Sequence, residues 1–258
     1  MISENLPVAL AVARRIAIQT FKNPAIIIPS LAFPLVFLIA FAGGLSAVDQ
    51  VPGFEFRAGY TAFQFVFVFL QTAAFGGIFT GYRIAEDYES GFARRLLIAA
   101  PRRSGLLLGY VLGGLLRFAV TGMILWGIAL AAGMDVLGTP LEIAAMWLLG
   151  AALCIASVLW VAGLSFRFQS IDIGGFMQTP VFVLLFLAPV YVPLGLLTGW
   201  LKVAASGNPI TAILDSGRGF IAGEPTKVAL AVGLAAGLVV LTALWARLQL
   251  HRAERGLA

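Results

Sequence analysis

The feature that most constrains this chain is a series of six apolar runs, each about as long as a bilayer's hydrocarbon core demands of a helix. They cover residues 24–45, 58–81, 105–133, 141–166, 174–197 and 228–248. Between them there is little that would dissolve in water: 60% of the 258 residues are hydrophobic and only 11% are charged. A soluble domain carries about a quarter charged residues. The expected fold is therefore an all-α integral membrane protein with six transmembrane helices, forming one domain over residues 1–258. The third and fourth runs exceed the minimum length, so their helices should tilt or protrude.

Lysine and arginine set the orientation. With both termini inside, the inner segments hold Arg14, Arg15, Lys22, Arg83, Arg94, Arg95, Arg102, Arg103, Arg167, Arg247, Arg252 and Arg255. The outer segments hold only Arg57, Lys202, Arg218 and Lys227. That bias places both termini and the 86–103 insert in the cytoplasm. The net charge of +5 is thus a topology signal, and no separate basic domain exists to bind nucleic acid. No cleavable leader is expected, so the first run should remain in the mature protein.

Three segments outside the runs have character of their own. Leu6–Phe21 reads as an amphipathic helix lying in the interface, with Leu6, Leu10, Ala13 and Ala17 at helical spacing and Arg14, Arg15 and Lys22 available to headgroups. The insert 86–103 carries the acids Glu86, Asp87 and Glu89, then Arg94, Arg95, Arg102 and Arg103, around an apolar core of Phe92, Leu96, Leu97 and Ile98. It reads as a short cytoplasmic helix between spans two and three, beginning near Ser90 or Gly91 and ending at Pro101, with acids before bases as a helix dipole favours. Residues 198–227 are less apolar. Asn208-Pro209 there announces one or two short helices on or dipping into the outer leaflet.

The chain offers little catalytic chemistry. It has no phosphate-cradling Gly-x-x-x-x-Gly-Lys-Ser/Thr. His251 is its one histidine and Cys154 its one cysteine, so neither a Ser/His/Asp set nor a Cys/His metal site can be assembled. No pair of mid-span carboxylates is present, which argues against a proton- or sodium-driven carrier. We expect no enzyme activity and no metal. Arg117 is the mid-span charge. It either snorkels to the headgroups, faces a cavity or makes a contact across an interface. In the second run Gln64 and Gln71 share one helical face with Phe67 and Phe75, and an amide in lipid needs a partner helix or a wet cavity. The fifth run holds Gln178 and the kink-forming Pro180, Pro189 and Pro193. Gly109, Gly113 and Gly114 give the third run a small-residue packing face.

The insert resembles the signature stretch of type-2 ATP-binding-cassette (ABC) exporter permeases, especially the daunorubicin-resistance-like multidrug export group. The matching residues are Glu89-Ser-Gly91, Arg95-Leu-Leu97, Pro101 and Arg103, followed by Leu106-Leu-Leu-Gly-Tyr110. Phe92 stands where that group has a small Thr, and Tyr110 where Lys is frequent. A second match is Asn208-Pro209-Ile-Thr211 with Arg218 following.

The resemblance implies a permease subunit that exports a hydrophobic or amphipathic molecule, such as a drug, antibiotic or lipid. Its partners would be a separate ABC ATPase subunit, which binds the ATP and Mg, and a second permease copy, in a bacterial-type inner or plasma membrane. This chain itself would carry no cofactor. Carried over, Glu86, Asp87, Glu89, Gly91, Arg94, Arg95, Pro101, Arg102 and Arg103 become the coupling surface. Gln64, Phe67, Gln71, Phe75 and Gln178 become the substrate path. The alternative is a non-transporting assembly or immunity module that binds a cytoplasmic partner through the same insert.

Overall fold

The computed structural model describes residues 6–22, 24–44, 47, 51–52, 54–93, 95 and 104–255. Among these the regular structure is entirely helical. Helix α1 spans Leu6–Lys22, α2 Pro24–Gly44, α3 Gly59–Glu89, α4 Ser104–Ala131 and α5 Pro140–Phe168. After a single 3-10 turn, α6 spans Gly174–Phe186, followed by α7 Gly199–Gly207, α8 Pro209–Ala222 and α9 Val228–Arg255. Among the described residues four helices, over Gly59–Glu89, Gly105–Ala131, Pro140–Phe168 and Val228–Ala253, are long and apolar enough to cross a membrane. Shorter apolar stretches lie at Leu31–Phe41 within α2 and at Ile171–Phe186.

The four long helices are buried very unequally. In α3, 94% of the most apolar stretch is buried, against 11% in α9. Helix α3 is thus the core member, with α2, α4, α5, α6 and α8 packed around it, while α9 rests mainly on α5. Small residues and shared hydrogen bonds set the α3–α5 contact. The Ser157 hydroxyl donates to the Ala74 carbonyl at 2.7 Å, and the Ser165 hydroxyl to the Gly81 carbonyl at 3.1 Å. A side chain at Gly81 would collide with Val161. Helix α5 begins with a capping box: Glu142 N donates to the Thr139 hydroxyl, and Thr139 N donates to the Glu142 carboxylate at 2.6 Å.

Three expectations change in detail. The fifth run, 174–197, is not one helix: α6 stops at Phe186, and only a 3-10 turn at Leu194–Leu196 follows before α7. Pro189 and Pro193 lack the N–H that a continuing helix needs. Helix α3 does not end with its apolar run but continues to Glu89. The acids Glu86, Asp87 and Glu89 therefore sit in its last turns, the negative end of its dipole, and not in a separate segment leading into the next helix. The turn at Ser90-Gly91, with Gly91 at φ +70°, separates them from helical residues at 92, 93 and 95. Finally, α1 is held against α4 by a stripe of Ala9, Val12, Ala13 and Ile16, whereas Leu6 and Leu10 point outward.

The glycines of α4 explain that docking. A β-carbon at Gly109 would lie 2.6 Å from Val12 Cβ and 2.9 Å from the Ala9 carbonyl oxygen, and one at Gly113 2.8 Å from Ile16 Cδ1. Gly109→Val should overpack this seam and cost about 1–3 kcal/mol. Gly127→Ala, on the same helix with nothing within 4 Å of its added methyl, should be stabilising by about 0.5–1 kcal/mol. Thermal unfolding of the two variants in detergent checks this: opposite shifts in Tm are expected.

Candidate functional site

Two clusters on α3 contain the sequence-identified residues, one at its Glu89 end and one along its middle. At the Glu89 end, Arg15 of α1 makes a two-pronged ion pair with Asp87, Nη1 to Oδ2 at 2.7 Å and Nη2 to Oδ1 at 2.6 Å. The Tyr110 hydroxyl of α4 donates to Asp87 Oδ2 at 3.3 Å. The Arg15 guanidinium lies 4.0 Å from the centre of the Phe92 ring. One carboxylate therefore ties α1, α3 and α4 together and reaches the segment after Gly91. The hydrogen bonds to Asp87 push the Arg15 pKa above its ordinary value despite partial burial, so Arg15 remains a cation.

The remaining acids are also engaged. Glu86 accepts from Arg83 at 2.7 Å, one turn back on α3. Glu89 accepts from the Ser170 hydroxyl at 3.0 Å and from Ile171 N at 2.8 Å, bracing the turn between α5 and α6. Arg95 is exposed. Arg94, Pro101, Arg102 and Arg103 lie outside the described residues.

Along the middle of α3, Gln64, Phe67, Gln71 and Phe75 share one face, as their spacing requires, and all are buried. Among the described residues, neither amide finds a hydrogen-bond partner at its oxygen or its nitrogen. They lie behind an aromatic layer. Phe75 packs on Phe33 of α2 at 5.4 Å and on Phe182 of α6 at 5.0 Å, and Phe67 packs on Phe186 of α6 at 5.6 Å. Phe182 and Phe186 are themselves stacked 8° from parallel. Gln178 does not join the two glutamines in an amide cluster. Its Oε1 accepts from the Tyr82 hydroxyl at 3.2 Å, nearer the Glu89 end of α3.

Arg117 is buried, with its guanidinium 4.6 Å from the centre of the Phe79 ring of α3. It makes a helix–helix contact with α3.

Sequence reasoning missed several partners. Arg15 had been assigned to headgroups, but it turns inward to an acid 72 residues away, and only Arg14 of that pair is exposed. Tyr110, standing where the resembling group frequently has Lys, supplies a donor to Asp87. The second motif has structural work of its own. Asn208 Nδ2 donates to the Leu184 carbonyl at 2.6 Å, while its Oδ1 accepts from Ile210 N at 2.9 Å. Arg218 donates to the carbonyls of Phe63, Pro189 and Val190 at 3.2, 2.8 and 2.9 Å and lies over the Phe63 ring at 3.4 Å. Together they satisfy the carbonyls that the break after α6 leaves free. No sequence spacing announces this.

Among the described residues, an all-helical structure with four bilayer-length helices, an ion-paired cluster at one end of α3 and buried amides in its core defines a polytopic membrane protein. The chain belongs to the ABC-2 type transporter family, whose family model matches residues 8–221. A relative from Pyropia yezoensis, named “Putative transport permease ycf38”, is 25% identical over 214 residues, which are 81% of this chain and 72% of that protein. The chain is therefore a permease-like membrane transport protein, and its family normally pairs with an ABC ATPase.

If the Asp87 cluster is a single coupled unit, Arg15→Gln and Asp87→Asn should not be additive. A double-mutant cycle on unfolding free energy should return a coupling of about 1.5–3 kcal/mol. Simple additivity would show that the pair is incidental.

Proposed function

We propose that this chain is the membrane subunit of an ATP-driven exporter of hydrophobic or amphipathic molecules, energised by a separate ABC ATPase and working as a pair of permeases. The observation that carries the reading is the family match over residues 8–221, on a chain with no phosphate-binding loop of its own. Counting the 21-residue α2 and the broken fifth run as crossings makes six, with both termini in the cytoplasm. The inner membrane, the multidrug export group and the outward direction follow from the resemblance of the 86–103 insert, and the substrate class also from the aromatic walls.

The geometry supports a mechanism. The ATPase grips the cytoplasmic ends of α1 and the 86–103 segment, including Gly91, Arg94, Arg95, Pro101, Arg102 and Arg103. Glu86, Asp87 and Glu89 pass the movement to α3: Asp87 through Arg15 and Tyr110, Glu89 through the α5–α6 turn. Helix α3 carries Gln64, Phe67, Gln71 and Phe75, and Gln178 faces it from α6. Motion of α2 and α6 away from α3 would uncover the unpartnered amides and present a path with aromatic walls and two amide groups. Such a path suits a lipophilic molecule with a few polar atoms.

Arg95→Glu tests the reading, because Arg95 is exposed. The chain is co-expressed with ABC ATPases from its source organism, the one that co-purifies with it is taken as partner, and ATP turnover is measured in lipid with and without the permease. Native permease should alter turnover, and Arg95→Glu should lose at least most of that effect while eluting as the native protein does. A permease that binds the ATPase yet leaves turnover unchanged, native and variant alike, would instead support a non-transporting module.

A further inference from the structure

Helix α6 has a second face. While Phe182 and Phe186 close over the glutamine-bearing side of α3, Pro180, Val181, Leu184 and Leu185 line a cavity of about 210 Å³ on the other side. Its remaining walls come from Ala74 of α3, Ile210 of α8, residues around Ala156 on α5, and Leu238 and Thr242 of α9. We propose that this cavity holds an acyl chain of a bilayer lipid, inserted between α6 and α9.

Four observations carry the proposal. First, the wall is apolar even where hydroxyls are present. Ser157 spends its hydroxyl on the Ala74 carbonyl at 2.7 Å, and Thr242 spends its own on the Leu238 carbonyl at 2.8 Å. A cavity so lined does not attract water; an apolar cavity of about 150 Å³ stays dry and takes benzene, so this one has room for about eight carbons by proportion.

Second, its walls come from near the middles of three long apolar helices. Ala74 is the middle residue of Gly59–Glu89, Ala156 lies two residues past the middle of Pro140–Phe168, and Leu238 and Thr242 flank the middle of Val228–Ala253. Hydrocarbon chains are what the surroundings supply at that level. Third, the cavity is open. Pro180 and Leu184 of its wall are exposed, and α9 beside it presents Val240, Leu241 and Leu244 outward. Fourth, the opening has a cause in the sequence. Pro180 lies inside α6 and cannot make the backbone bond that would keep the helix regular, so α6 does not close against α5 and α9.

The proposal does not depend on transport. It needs only that the long helices span a bilayer. An occupant would bear on α6 from behind and hold the aromatic layer against α3.

The test uses the full chain in phosphatidylcholine bilayers containing a phosphatidylcholine with a diazirine near the end of one acyl chain. After irradiation, adducts are mapped by peptide mass spectrometry. We expect adducts at Leu184, Leu238 and Thr242 as well as on the open face at Val240, Leu241 and Leu244. Ala156→Leu, which fills the cavity, should reduce the first group at least five-fold and spare the second. Thr242→Leu, filling from the opposite wall, should do the same at Leu184 and Leu238, so a folding defect in one variant does not decide the matter. Cavity adducts that are absent, or undiminished in both variants, overturn the proposal. So does labelling of the cavity by free diazirine-adamantane but not by the lipid, which would assign it to small lipophilic molecules.

Discussion

Helix α3 is buried on nearly every side, and that single constraint organises the rest of the molecule. A helix surrounded by protein in a membrane must satisfy its side chains locally or find partners across a helix contact. Thr72 and Thr80 do the first, donating to the Val68 and Gly76 carbonyls one turn back. Asp87 does the second, drawing Arg15 and Tyr110 toward it. Against that pattern the unpartnered amides of Gln64 and Gln71 stand out. They are the polar groups for which this closed arrangement has no use, and they lie under the aromatic residues of α2 and α6.

The broken fifth run obeys the same rule at another place. Backbone that leaves a helix at membrane depth needs donors for its carbonyls. Asn208 and Arg218 supply them, from the start and the body of α8. The break therefore costs less than an isolated interruption would, and α6 is left as a short apolar helix supported at one end by side chains from α8. Such a helix is better suited to move against α3 than a continuous span packed along its whole length.

Much of this was legible in the sequence because hydropathy and helix signals are local. The N-terminal helix, the bilayer-length helices over runs two, three, four and six, and the Asn208-Pro209 helix start all follow from residues close together in the chain. The shared face of Gln64, Phe67, Gln71 and Phe75 follows from helical spacing alone. What was not legible depends on distant partners. Arg15 looked like a headgroup ligand because nothing near it is acidic; its partner is on another helix. The acids of the insert looked like a polar lead into the next helix because charge marks the end of an apolar run, not the end of the helix that contains it. Glu89, placed by the resemblance in the coupling surface, also accepts from Ser170 and Ile171 of the α5–α6 turn, which no local signal announces.

The central claim is that movement at the Asp87 end of α3 is felt at the buried amides, sixteen residues or about 24 Å away along a rigid helix. It is tested most directly by thiol accessibility. In a Cys154→Ala background, Gln71→Cys is reacted with a small methanethiosulfonate reagent, with the partner ATPase present, before and after ATP is added. The account predicts that ATP raises the labelling rate at least ten-fold, as α2 and α6 uncover the face. Equal rates with and without ATP, from a complex whose ATPase is active, would contradict it.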